Sequence, residues 1–319
     1  MEFSHILTDG TGGFEFLKTL LLTYFEKSGL PVPDHVSFFR PQQAPAQEEY
    51  EDAYSRYFKK LDTSAVNIPR AFHLPFDLKN KPRFEVLLAS LPIDALKQKA
   101  KEYGVSLTEY LSAVYLFALQ QIYHQQSLLT KRLNSNILRI EVPVNLRKLY
   151  PTRSMRNFTL YVLPQIDLRL GFYSFDEIVK IVFHQMQLET DKKLINKMIF
   201  RNVSGERHPF LRRVPLLIKS LFLSQLYTIG TQQYSGVVTN LGKIDLGAEL
   251  NKLISHFVFI PPPPNKILKV NCGVAGFGDQ LILSFGNITT SRELERQFFT
   301  YLTQQAIPVK ILDTFQVER

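Results

Sequence analysis

This sequence predicts an α/β fold (α+β in how its elements segregate), organised as two units rather than one. Three observations predict it. Apolar residues recur at helical spacing in some segments and in short strand-like runs in others, and both kinds occur in each half of the chain. At 319 residues the chain exceeds the size at which a single core ordinarily stops growing. A polar stretch from His124 to Ser135 reads as a linker and sets a boundary at 133/134, giving units of 1–133 and 134–319.

Taken in order, Phe3 reads as the tail of a strand, followed by a turn over Asp9 to Gly13. A helix from Phe14 to Glu26 follows, with apolar residues at 14, 17, 20, 21 and 24, and Gly29-Leu30-Pro31-Val32-Pro33 stops it. Residues 34–82 are polar and proline-bearing, a surface excursion with one short helix from Glu48 to Leu61. Arg83 to Leu91 is strand-like; Pro92 opens a helix that Gly104 ends in a left-handed cap, and Ser106 or Thr108 caps the next, which runs to about Tyr123. Beyond the linker, strands are expected over Ile137–Val144, Phe158–Ile166, Gly236–Asn240 and Ser255–Pro261. Helices are expected over Phe175–Lys197 and Val214–Tyr227. Pro261 to Pro264 makes a polyproline turn, and Lys269–Ala275 pairs with Gln280–Phe285 as a hairpin across Gly276 to Asp279. Ser291 caps a final helix, Arg292–Gln304, and Val309–Leu312 closes the chain as a strand.

Composition narrows the function classes. The chain is 45% hydrophobic and 21% charged, an ordinary globular balance. The single cysteine, Cys272, excludes an intrachain disulfide framework and suits a reducing cytoplasm, the expected location; it reads as a small buried residue, not a nucleophile. No apolar run is long enough for a membrane span, and the start lacks the basic region of a signal peptide. A net charge of +9 suits an anionic partner, yet the basic residues are scattered in short groups, Lys131-Arg132, Arg153/Arg156 and Arg207/Arg212/Arg213. That scatter does not suit nucleic acid; a phosphorylated small molecule needs only a few cations, and most of these residues read as solvated surface.

The residues with chemistry sit at the start: His5-Ile6-Leu7-Thr8-Asp9-Gly10, a histidine, an aspartate four residues on, then a glycine. Imidazole titrates near neutrality and suits general-base work; without its neighbours, His5 would read as a surface histidine. Asp9 could orient His5, share a metal with it, cap the following helix or pair with a distant arginine. The metal reading lacks a third ligand nearby. Gly10, Gly12 and Gly13 imply crowding or positive φ but form no phosphate loop. His73, His184, His208 and His256 carry no motif and read as structural or surface.

The H-x-x-x-D-G pattern resembles the signature of the CoA-dependent acyltransferase superfamily, which includes chloramphenicol acetyltransferase, alcohol acetyltransferases and peptide-synthetase condensation domains. Other stretches match in order: Leu96–Tyr123 with its G-V-S-L-T-E-Y-L, Val142-Pro143-Val144-Asn145-Leu146-Arg147, Val238-Thr239-Asn240-Leu241-Gly242, and Gly273–Ile288 followed by Leu294–Phe299. The chain is most similar to bacterial proteins described as alcohol acetyltransferase-like. Ser4 departs from the first histidine of condensation domains, and the D-F-G-W-G block of the plant enzymes is absent. The resemblance implies a two-lobed chloramphenicol acetyltransferase-like pseudo-dimer with a tunnel reaching the histidine. It implies His5 as base in direct transfer from acyl-CoA to an alcohol or amine acceptor, with no permanently bound cofactor and no metal. It implies an ion pair between Asp9 and Arg147, with Gly10 supporting the same loop. Thr239 and Asn240 would donate hydrogen bonds to the oxyanion or simply form a strand-to-turn junction. In that family a folded segment precedes the histidine, so the first lobe is expected to be incomplete here, with an open sheet edge and an apolar face that invite self-association. The alternative is a degenerate homologue that keeps the fold as a binding module.

Overall fold

The structure, a computed structural model, describes residues 1–32, 36, 38–39, 43–62, 67–207 and 213–317, with the backbone alone at 206, 221 and 222. Pro33, His208 and Arg212, which figured in the sequence reading, lie outside these residues. The strands are β1 (Glu85–Pro92), β2 (Ile137–Asn145), β3 (Thr159–Val162), β4 (Gln165–Asp167), β5 (Gly236–Ile244), β6 (Val270–Phe277), β7 (Gln280–Asn287) and β8 (Lys310–Gln316). They form one mixed sheet in the order β3-β2-β5-β6-β7-β1-β8, with β4 also on β2. The β2–β5 and β5–β6 pairs are parallel; β6–β7, β7–β1 and β1–β8 are antiparallel. The helices are α1 (Gly10–Lys27), α2 (Ala53–Tyr57), α3 (Ile93–Glu102), α4 (Leu107–Gln125), α5 (Leu128–Leu133), α6 (Phe175–Glu189), α7 (Lys192–Arg207), α8 (Leu216–Thr231), α9 (Ala248–Asn251) and α10 (Glu293–Gln304). The parallel β2–β5 pair is closed by the long crossover that carries α6, α7 and α8, as a parallel connection requires.

One face of the sheet is covered by helices. Ile140, Val142, Val238, Cys272, Val274, Leu283 and Phe285 point into a core that also takes Leu111, Val114 and Leu119 of α4, Ile178 and Val182 of α6, and Phe298 and Leu302 of α10. Because α4 is enclosed by the sheet on one side and by α6 and α10 on the other, it is apolar nearly all round, as a buried helix should be. Its Tyr115 hydroxyl donates to the Val270 carbonyl at 2.9 Å, and a Cβ at Gly236 would collide with that hydroxyl. Ser106 begins α4 in a capping box with Glu109, and Ser174 and Glu177 repeat the device at α6. Ser106→Ala should therefore cost about 1 kcal/mol, read as a lower denaturation midpoint with an unchanged slope.

The opposite face carries α1 and the stretch 255–264. That stretch is not the strand expected over Ser255–Pro261. It crosses the sheet face instead, and the sheet leaves room for it. A Cβ at Gly273 would lie 2.5 Å from the Phe259 carbonyl oxygen, which accepts from the Ser284 hydroxyl; the Asn271 amide donates to the Pro262 carbonyl at 3.1 Å. Phe257 and Phe259 then pack with Phe14, Ile244, Ala275 and Phe277.

Other boundaries also move. Residues 1–4 form no strand, and α1 begins at Gly10, four residues earlier than the apolar spacing implied, because Asp9 caps it. The strand expected over Phe158–Ile166 divides into β3 and β4 without losing register on β2, because Pro164 has no N–H for the ladder; its carbonyl still accepts from Ile140 N at 3.1 Å. The helix expected over Phe175–Lys197 ends at Glu189 and restarts at Lys192, where the Asp191 carboxylate accepts from Lys193 N at 2.8 Å. The helix expected over Glu48–Leu61 shrinks to a 3-10 turn, Gln47–Tyr50, and α2. The 124–135 stretch holds α5 between α4 and β2, and residues on both sides of 133/134 share one sheet and one core: β1 pairs with β7 along its whole length.

Candidate active site

The site is organised by a buried carboxylate. Asp9 caps α1: its Oδ1 accepts from Thr11 N and Gly12 N, both at 3.1 Å. Its Oδ2 accepts from Arg147 Nη1 at 2.7 Å, Phe158 N at 2.8 Å and Thr159 Oγ1 at 3.0 Å. Arg147 follows β2 in a 3-10 turn, and it also donates to the carbonyls of Ser154 (2.9 Å) and Arg156 (2.6 Å) and to Asn145 Oδ1 (3.3 Å). Asn145 ties the two sides together, donating to Thr11 Oγ1 at 3.0 Å and accepting from Arg147 N at 3.0 Å. The ion pair is almost dry, with side-chain exposures of 1% for Asp9 and 11% for Arg147. Burial pushes the Asp9 carboxyl upward, but the Phe158 N–H, the Arg147 guanidinium and the Gly12 N–H outweigh it and hold the group below its ordinary value. Capping and distant pairing, alternatives on sequence, are here one arrangement.

The glycines divide. A Cβ at Gly12 would fall on Thr8 Oγ1 and lie 2.5 Å from the Met155 carbonyl oxygen, which accepts from that same hydroxyl at 2.6 Å. At Gly13 it would touch the Phe3 ring at 3.3 Å, and at Gly10 it would find only an ordinary 3.4 Å contact with Leu241. Positive φ occurs at Gly104 and Gly278, as turns require, but at none of these three.

His5 lies in a turn closed by Leu7 N donating to the Ser4 carbonyl at 3.0 Å. Its side chain is exposed, and Nδ1 stands 3.3 Å from the Asn157 amide nitrogen. As placed, the Asn157 amide donates to Nδ1; with the amide turned so that Oδ1 faces the ring, Nδ1–H would donate and Nε2 would keep its lone pair. Beside His5 is a group that the sequence reading did not select. Glu141 of β2 lies near the Tyr234 hydroxyl; burial pushes its carboxyl upward, while Tyr234 and the nearby His5 act in the other direction. Burial and Glu141 in turn raise the phenols of Tyr234 and Tyr161. Strand alternation explains the grouping: Glu141, Pro143 and Asn145 share one face of β2, and Tyr161 is the partner of Pro143 across β3. The available signal was a charged residue, Glu141, in a strand, Ile137–Val144, whose other residues except Arg139 are apolar.

Thr239 is on the same side of the sheet, because its neighbour Val238 points into the helical core. Asn240 is not. Its amide donates to Thr108 Oγ1 of α4 at 3.0 Å and its oxygen accepts from Gly242 N at 2.8 Å, so the side chain is spent on the helical side, in the strand-to-turn role. His73 is buried, His184 and His256 are exposed, and Cys272 is buried on β6. Among the described residues no three His, Cys, Asp or Glu side chains are placed to hold a metal ion, and no helix is long and apolar enough to cross a membrane.

No protein-family model and no curated protein matches this chain. Solved structures do. The epimerization domain from the third module of tyrocidine synthetase B superposes with a TM-score of 0.55 at 12% identity, covering 94% of this chain and 66% of that one. The nonribosomal peptide synthetase FmoA3 gives 0.54 at 15% identity, over 94% and 29%. The cyclization-docking bidomain of the EpoB synthetase from Sorangium cellulosum gives 0.52 at 15% identity, over 94% and 57%. The chain thus spans less than two thirds of the solved chains it matches. Its fold is the mixed α/β, chloramphenicol acetyltransferase-like fold of condensation-type domains.

Proposed function

We propose that this chain carries the active-site half of an acyltransferase that moves an acyl group from acyl-CoA to a hydroxyl acceptor, with His5 as general base. The observation that carries this reading is the Asp9–Arg147 clasp, which ties the start of α1 to β2 and β3 and holds the His5 turn beside Asn157 and Glu141. In the reaction, imidazole nitrogen takes the acceptor's O–H proton while the oxygen attacks the thioester carbonyl; a C–O bond forms. Collapse of the tetrahedral species breaks the C–S bond, and the thiolate recovers the proton from imidazolium. Glu141 would stabilise the imidazolium by its charge, and Thr239 would serve the oxyanion. An alcohol acetyltransferase-like substrate pair belongs to this proposal.

One observation favours a second reading, a binding module without turnover: the His5 ring faces solvent and is not enclosed. A panel of acyl-CoA donors of increasing chain length with short alcohols separates the two. The enzyme reading requires free thiol and ester in equal amounts. Saturable binding of acyl-CoA with neither product would leave the binding module. Self-association through the exposed apolar residues of α1 (Phe16, Leu20, Tyr24) and α8 (Leu216, Leu217, Leu223) is part of the same proposal.

A further inference from the structure

A cavity of about 300 Å³ lies away from the His5 turn, at the N-terminal ends of β2 and β5, walled by Arg70–Pro75, α5 and the turn at 265–269. Three cations line it, Arg70, Lys266 and Lys269, and no carboxylate does. Among the described residues none of the three enters an ion pair. Lys269 is half-buried and its ammonium is anchored on the carbonyls of Leu74 (2.8 Å) and Phe76 (2.6 Å), which uses two of its three N–H donors; Asp77 is the acid whose charge bears on it. The walls are fixed independently of any ligand. Asn134 accepts from His73 N at 3.1 Å and donates to the His73 carbonyl at 2.7 Å, and Asn265 accepts from Ile267 N and Leu268 N at 2.8 Å, presenting Lys266.

Three cations in one lining that holds no carboxylate, on a scaffold already hydrogen-bonded, suit a compact dianion with several acceptor oxygens. We propose that this cavity binds a phosphomonoester of a small molecule. The volume accommodates a phosphate with a modest organic group. A monocarboxylate would leave one or two cations unmatched. His73 forms part of the lining and supplies a reporter. It is buried, and burial together with the Arg70 and Lys269 charges pushes its imidazole down to about 4. An anion between those cations would relieve that effect.

The test is calorimetric titration of the whole chain with orthophosphate, AMP, adenosine and acetate, paired with NMR titration of His73. Saturable binding of AMP with Kd below about 1 mM is expected, with adenosine and acetate silent. Orthophosphate matching AMP would assign all recognition to the phosphate group, and a weaker orthophosphate would add a contribution from the organic part. Arg70→Ala and Lys266→Ala, both at exposed side chains, should each weaken AMP about tenfold, while the distant Lys97→Ala should not. AMP should also raise the His73 pKa in the native chain and leave it unmoved in the Arg70→Ala/Lys266→Ala double variant. Absence of saturable AMP binding, equal binding of adenosine, or equal loss in Lys97→Ala would overturn the assignment.

Discussion

Asp9→Ala should be among the most destabilising single substitutions in this chain, at about 3–5 kcal/mol, the range for removing one partner of a buried ion pair. The cost has identifiable parts. Arg147 keeps its charge in a nearly dry position, the N–H groups of Thr11, Gly12 and Phe158 lose their acceptor, and α1 loses its cap. Arg147→Ala should be severe for the complementary reason, and the double variant should cost less than the two single effects combined, because each single change already breaks the shared pair. Strict additivity in denaturant unfolding would contradict the clasp. The same group sets an acid limit. Its folded-state pKa is depressed, so its contribution is fully present above the ordinary carboxylate value of about 4 and is lost as pH falls through the lowered value. The Asp9→Asn variant should lack that portion of the acid-unfolding curve.

Gly12→Ala should cost about 1–3 kcal/mol by overpacking, and it should act on the site as well as on stability. The added methyl has no flexible neighbour to displace on one side, since the Met155 contact is a backbone carbonyl. On the other it evicts the Thr8 hydroxyl from the bond that fastens the His5 turn to residues 154–157. Gly10→Ala, two residues away but in ordinary contact with Leu241, should be nearly neutral. Equal melting temperatures for the two variants would mean that the close approach at Gly12 does not exist in solution.

Much of the fold was legible because local chemistry and tertiary structure agree. Ser106, Gly104 and Gly278 mark their elements without help from distant residues. The failures share a cause, which is that the deciding partner is remote. Ser255–Pro261 has the composition of a strand, yet its place over Gly273 and Ser284 is dictated by the missing side chain of one and the hydroxyl of the other. The run 175–197 has continuous helical spacing, and only the Asp191 cap divides it. At the site, His5, Asp9 and Arg147 could be selected from their motifs. Glu141, Tyr161, Tyr234 and Asn157 could not, because they meet only after β2, β3 and the approach to β5 are placed side by side. Asn240 shows the converse: its motif pointed to the reacting group, while strand alternation turns it toward Thr108.

The most direct measurement is the rate of thiol release from acyl-CoA in the presence of an alcohol, for the native chain and for His5→Ala at matched folded fraction. His5 is exposed, so its removal should leave the melting temperature unchanged. The expected result is a fall of about 10²- to 10⁴-fold in the rate with acyl-CoA binding retained. An undiminished rate in His5→Ala would contradict general-base catalysis by this imidazole.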